Sequence, residues 1–202
     1  MKFLLLTLFL LVNVSAQEDY SLRVAYGKAT ASDLSEILSG DIRPTYDNTG
    51  KSQDYEVLAI DAGYLYDKGT YIDTFFKAGL AYYKQHILED TFEAALYFKL
   101  YYNMDMFSNR VRFGFGEGLS YTNGYLEPEY DEAVQDEDNH SRYLNYLDIS
   151  LDLDLGRLVR VRSLYDTYIG FAIKHRSGIF GLINNVKEGG ANYNTFYIEK
   201  NF

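Results

Sequence analysis

From Asp19 onward, apolar residues recur at every second position instead of at helical spacing. Tyr20, Leu22, Val24 and Tyr26 alternate with Ser21, Arg23, Ala25 and Gly27, which is the period of a strand with one apolar face. Leu58, Ile60, Ala62, Tyr64 and Tyr66 repeat the pattern, and Asp67-Lys-Gly-Thr70 predicts a tight turn into Ile72, Thr74, Phe76, Ala78, Leu80 and Tyr82. Further strands are predicted over 92–102 and 111–120. In the stretch LNYLDISLDLDLG, Leu147, Ile149, Leu151, Leu153 and Leu155 oppose Tyr146, Asp148, Ser150, Asp152 and Asp154. Segments 167–177 and about 191–202 bring the expected strands to eight.

The connections alternate in length. Long polar ones are expected at about 28–53, 84–90, 122–141 and 178–190, and shorter ones near 67–70, 103–109 and 156–166. With an even number of strands, both termini lie on the side of the short turns. This is the plan of an all-β, eight-stranded antiparallel up-and-down transmembrane barrel of the outer-membrane type. Side chains fill the lumen of so small a barrel. Lys77, Lys99, Arg112, Lys174 and Arg176 are expected to pair there with Asp61, Glu93, Asp148, Asp152 and Asp154, which argues against a general diffusion pore. The chain ends on an aromatic, Phe202, as outer-membrane barrels commonly do.

The start of the chain fits export. Met1-Lys2, the apolar run 3–12 and Val14-Ser15-Ala16 have the order of a secretory signal peptide. Residues 1–16 are therefore read as a leader and 17–202 as one barrel domain. The leader's apolar run is shorter than the roughly 20 residues of a spanning helix. The sequence has no cysteine, so no disulfide framework is expected despite export. A formal charge of −10 argues against nucleic acid as a partner, since phosphate backbones are held by Lys and Arg. The sequence has 21 Tyr and 13 Phe with no Trp and only 2 Pro, a β-prone composition that also suits aromatic belts at a membrane interface.

One strand breaks its own pattern. In IGFAIKHRSG, Ile169, Phe171 and Ile173 share a face, and by period two so do His175 and Ser177. The strand is entered from a short turn, so an imidazole and a hydroxyl face lipid near its outer end. Their α-carbons are roughly 6–7 Å apart at about 3.3 Å rise per residue. An unpaired polar group in hydrocarbon costs on the order of 1–3 kcal/mol. A neutral imidazole beside a serine can take its proton and make it a nucleophile for acyl transfer.

These residues, within YIGFAIKHRSGIFGLINNVKEGGANYNTFYIEKNF at 168–202, resemble the lipid A deacylases of the PagL type. Those are small outer-membrane barrels that remove an ester-linked acyl chain from lipopolysaccharide. The resemblance implies His175 as base, Ser177 as nucleophile, an acid near the start of the last strand to orient the imidazole, and lipid A or lipopolysaccharide as partner. The chain departs from the family pattern at two positions. Gly178 stands where the family has an oxyanion-site Asn, and the acid's place falls on Ala191. Glu188, in the loop, is the candidate acid, and backbone amides near Gly178 the candidate oxyanion donors.

The remaining motifs carry less. The acidic run 127–141 matches no calcium-loop spacing and reads as a solvated, mobile loop. FGFGEG at 113–118 lies inside a strand with no helix after it and is not a dinucleotide site; Glu117 on its lipid face predicts a bulge or a strand end. His86 and His140 lack metal-ligand spacing, so neither a metal nor a cofactor is expected. Two rival readings remain open: a non-catalytic small outer-membrane barrel that binds a surface partner or stabilises the envelope, and a periplasmic lipocalin-like barrel with an apolar interior. Whether the barrel pairs as a homodimer, and which face of the last strand is outward, are also left open.

Overall fold

The computed structural model describes residues 19–46, 52–135, 137–179, 181–187 and 190–202; the expected leader lies outside the described residues. Eight barrel strands follow in chain order: β1 (Tyr20–Thr30), β2 (Glu56–Lys68), β3 (Ile72–Lys84), β4 (Thr91–Met106), β5 (Asn109–Thr122), β6 (Tyr143–Asp154), β7 (Thr167–Ser177) and β8 (Gly190–Asn201); Thr45–Tyr46 and Ser52–Gln53 form a separate two-stranded ribbon between β1 and β2. Each barrel strand pairs antiparallel with its chain neighbour, and β1 pairs with β8, so the sheet closes on itself. Closure leaves no open edge, the condition for placing strands in hydrocarbon. Among the described residues no helix is long and apolar enough to cross a membrane; the strands do so.

The barrel is apolar outside and charged inside. Leu80, Leu96 and Leu119 are 63%, 56% and 59% exposed. Outward aromatics form two bands, with Tyr20, Tyr64 and Tyr66 at the end that carries the termini and Tyr82, Phe92, Tyr121 and Tyr143 toward the other. An exterior of this kind is stable only against lipid. The architecture is that of a bacterial outer-membrane barrel, and a lipocalin-like inversion is excluded because the carboxylates point inward.

The lumen is a buried charge network. Arg23 donates to Asp61 at 2.9 Å and to Asp148 at 2.7 Å, and Lys99 also meets Asp148. Arg112 holds Asp152 through two hydrogen bonds of 2.9 and 2.8 Å. Lys77 donates to Glu199 at 2.7 Å and Lys174 to Glu93 at 3.0 Å. The expected groups are all present, but the pairing differs in part. Arg23 and Glu199 are additional members, and Asp154 instead caps a helix by accepting from Arg157 N at 2.8 Å. Such pairs offset their desolvation only when their remaining hydrogen bonds are made, and Tyr97, Tyr101 and Tyr197 supply several of them.

The connections hold structure that the period-two pattern does not reveal. Helix α1 (Leu34–Ser39) follows β1, α2 (Glu127–Gln135) lies between β5 and β6, and α3 (Leu155–Val159) fills the turn before β7. The β4–β5 turn is a two-residue hairpin, Phe107 and Ser108, both at positive φ. Far from being a mobile acidic loop, the start of the 127–141 run caps the outer mouth. Glu127 accepts from the backbone N–H groups of His86, Ile87 and Leu88 at 3.1, 3.0 and 3.3 Å and from the Tyr55 hydroxyl at 3.0 Å. Burial pushes its carboxyl up, but these donors outweigh it and hold the group below its usual range. The His140 ring lies 4.5 Å from the Tyr125 ring, and His86 Nε2 is 3.2 Å from Asp54 O; among the described residues no cluster of metal-ligating side chains occurs.

Candidate functional site

The outer half of the wall formed by β5 to β8 departs from the apolar exterior. Cross-strand register places Thr30, Asn192, His175, Leu147 and Glu117 in one row around the barrel, with Gly190, Ser177, Asn145 and Leu119 in the next. Directly paired residues of an antiparallel ladder project to the same face. Glu117, Asn145, Ser177 and His175 therefore surround Leu147 on the lipid side, just below Tyr143, with Asn192 on the far side of His175. The expected bulge at Glu117 does not occur: β5 keeps unbroken register with both neighbours through this residue. The carboxylate is instead held in a regular strand on an outward position.

His175 and Ser177 lie where the period predicted, outward and half-buried at the end of β7. What orients the imidazole is not an acid. His175 Nδ1 is 2.8 Å from Asn192 Oδ1, and Asn192 Nδ2 donates to the Ser32 carbonyl at 3.1 Å. The second contact fixes the amide, since a carbonyl can only accept. Oδ1 then faces the imidazole and requires a proton on Nδ1, which leaves Nε2 with its lone pair free. Asp33, the residue before α1, lies within electrostatic reach of the same imidazole.

The acid expected at Ala191 fails on geometry. Ala191 is 2% exposed and faces the lumen, whereas the next residue, Asn192, is the cross-strand partner of His175. Glu188 lies outside the described residues. The register of the last strand is settled in the same way: Asn192, Asn194, Phe196 and Ile198 face outward, and Tyr193, Tyr197 and Glu199 inward.

Gly178 is required by packing. A Cβ there would sit 2.1 Å from the Val186 carbonyl oxygen and 2.5 Å from the Val186 side chain, so the Asn of the resembled family has no room. The Gly178 carbonyl accepts from Ile183 N at 2.9 Å, folding the chain back over the strand end. This loop is tied to the α2 cap, because Gly190 N donates to Glu132 at 2.9 Å and Lys187 N to Asp138 at 2.7 Å. Ile179, a β-branched residue, sits at φ +49°, a conformation costing on the order of 1–3 kcal/mol. No hydrogen bond joins the Ser177 hydroxyl to His175 or to any other side chain among the described residues.

Asn192 and Asn145 escape a reading based on motifs, since asparagine is unremarkable in a strand and their roles depend on register. The available signal was the interruption of the apolar alternation at 192 and 194.

On the other side of Asn192 the wall carries an exterior groove of about 480 Å³, lined by Tyr26, Ile42, Arg43, Pro44, Asn194 and Phe196. It combines apolar walls with Arg43 and Lys28 at its rim, both about half exposed and each paired with a carboxylate, Glu36 and Asp54 respectively.

No protein-family model matches the chain, and no curated protein matches it. Among solved structures, the chain is similar to the outer membrane enzyme PagL, with a TM-score of 0.59 and 13% identity over 90% of this chain and 99% of that one. It is also similar to Neisserial surface protein A (NspA), with a TM-score of 0.51 and 14% identity over 94% of this chain and all of the other. The protein shares with both the fold of an eight-stranded outer-membrane barrel.

Proposed function

We propose that this protein is an outer-membrane lipid A deacylase that hydrolyses an ester-linked acyl chain of lipopolysaccharide. The reading is carried by the relay from Ser32 O through the Asn192 amide to His175 Nδ1. It sets the tautomer that a serine hydrolase needs, on a wall that faces lipid. An amide can hold the tautomer, although it stabilises the imidazolium less than a carboxylate does.

In the first step the Ser177 hydroxyl oxygen attacks the ester carbon, its proton passes to His175 Nε2, and the carbonyl π pair moves onto oxygen. Collapse breaks the bond to the sugar oxygen, which takes the proton from His175. Water then repeats the sequence on the acyl-serine and releases the fatty acid. Rotation of the Ser177 side chain brings its hydroxyl toward the imidazole, a contact that catalytic groups often tighten only with substrate bound. The Gly178 backbone amide is a candidate oxyanion donor. The groove beside Asn194 offers apolar contact for an acyl chain against Tyr26, Ile42 and Phe196. The expected leader at 1–16 fits the same location.

The test is mass spectrometry of lipid A from cells producing the protein or its Ser177→Ala variant. Loss of one acyl chain with the wild type alone supports the deacylase; identical lipid A from both, with folded protein in the membrane, rejects it. The second reading, a non-catalytic barrel acting through its outer loops, is favoured by one observation: residues 181–187 are tied by hydrogen bonds to Asp138 and Asn139, just after α2.

A further inference from the structure

Two polar residues of the wall are not used by the imidazole relay. Glu117 places a carboxylate on the outward face of β5, diagonally across the ladder from Asn145 on β6, whose direct partner there is Leu119. Asn145 is only 7% exposed and is the direct cross-strand partner of Ser177. Paired Cβ atoms in an antiparallel ladder lie about 4.5–5.5 Å apart, within reach of a shared substrate atom. Diagonal neighbours of a ladder lie about 7–8 Å apart, within reach of long side chains, so the Glu117 carboxylate can accept one N–H of the Asn145 amide. The second N–H of that NH₂ group is left for another acceptor.

We propose that Asn145, positioned by Glu117, supplies the side-chain oxyanion donor for the acyl transfer at Ser177. His175 lies two residues before Ser177 on β7 with its ring held toward β8 by Asn192, and Asn145 stands across from Ser177 on β6. Base and oxyanion donor then flank the nucleophile on opposite sides, as acyl transfer requires: the proton leaves toward β8 while negative charge develops on the oxygen facing β6. Gly178 cannot carry a side chain, so a donor from the neighbouring strand provides what that position lacks. Glu117 is a positioning residue; its carboxylate outside a barrel is accounted for by the amide it holds. This inference rests on the hydrolase reading.

The experiment uses the full barrel refolded in detergent, with a p-nitrophenyl fatty-acid ester as substrate and a long-chain fluorophosphonate as probe of Ser177. Wild type, Asn145→Ala, Glu117→Leu, Glu117→Gln and Ser177→Ala are compared, with folding verified by heat-modifiable migration on gels. Removal of one oxyanion donor costs about 10²–10³ in kcat, so Asn145→Ala is expected to lose that much with KM little changed. Glu117→Leu, an apolar replacement facing lipid, is expected to fold and to lose kcat, whereas Glu117→Gln, which still accepts through Oε1, retains most of it. Wild-type turnover with Asn145→Ala unimpaired overturns the role of Asn145 and leaves the hydrolase standing. Wild type with neither Ser177-dependent turnover nor phosphonylation overturns both.

Discussion

His175 and Asn192 are cross-strand partners on β7 and β8, and their side chains meet at 2.8 Å between Nδ1 and Oδ1. Because the Asn192 amide is anchored on Ser32 O, the imidazole has one tautomer available in this arrangement. Removing the amide should therefore act on chemistry more than on folding. Asn192→Ala is expected to lower kcat on an ester substrate by at least about 10-fold, because the orienting group sets the tautomer of the base, with the melting temperature nearly unchanged. Asn192→Asp, which accepts from Nδ1 and carries charge, should retain more activity than Asn192→Ala. Equal rates for Asn192→Ala and wild type would show that the contact has no catalytic part.

Restoring the residue typical of the resembled family at 178 should harm this protein. Gly178→Asn places a Cβ within 2.1 Å of a backbone oxygen, which only a shift of the 178–187 loop can relieve. The expected outcome is faster proteolysis of the outer loops and lower activity than wild type, read by limited digestion and ester turnover. Gly178→Ala should show most of the same effect, because the collision involves the Cβ itself.

The lumen network makes stability depend on pairs remaining whole. Asp148 is fully buried between Arg23 and Lys99. Asp148→Ala leaves Lys99 without its carboxylate and Arg23 with Asp61 alone, and should cost about 3–5 kcal/mol, measured by urea unfolding in detergent or bilayers. Exchanging an outward leucine such as Leu80 for isoleucine should cost far less, since lipid packs loosely against either side chain. Comparable losses for both would mean that the charge network contributes little.

The cap should respond to pH through Glu129. This residue of α2 lies 5% exposed, 3.2 Å from Arg176 Nη1 but not aligned for a hydrogen bond. Burial, opposed by Arg176 and reinforced by Glu93 and Glu132, pushes its carboxyl up to about 7 from an ordinary value of 4.5. A carboxyl raised in the folded state favours folding while protonated. That contribution is complete below about 4.5 and is lost as pH rises through about 7. Amide exchange in α2 should accelerate across that window, and Glu129→Gln should flatten the dependence. A pH-independent α2 in the wild type would show that the carboxyl does not titrate there.

Much of this protein was legible in its sequence, because a closed barrel in lipid repeats one physical rule along every strand. Alternation of Phe92 to Tyr102 or of Leu147 to Asp154 separates a lipid face from a lumen face, and the count of strands with the order of long and short connections decides closure. Period two also placed His175 and Ser177 outward. Tertiary structure decided what depends on register between strands: Asn192 rather than Ala191 meets His175, Asn145 faces Ser177, and Glu117 sits in a regular strand beside it. It also decided the cap, where Glu127 and Glu129 fold down onto the mouth from an acidic run that appears solvated when read alone. Periodicity reports which face a residue takes within its own strand. Which side chain it touches is set by hydrogen-bond register and loop packing between segments far apart in the chain, and neither leaves a local pattern.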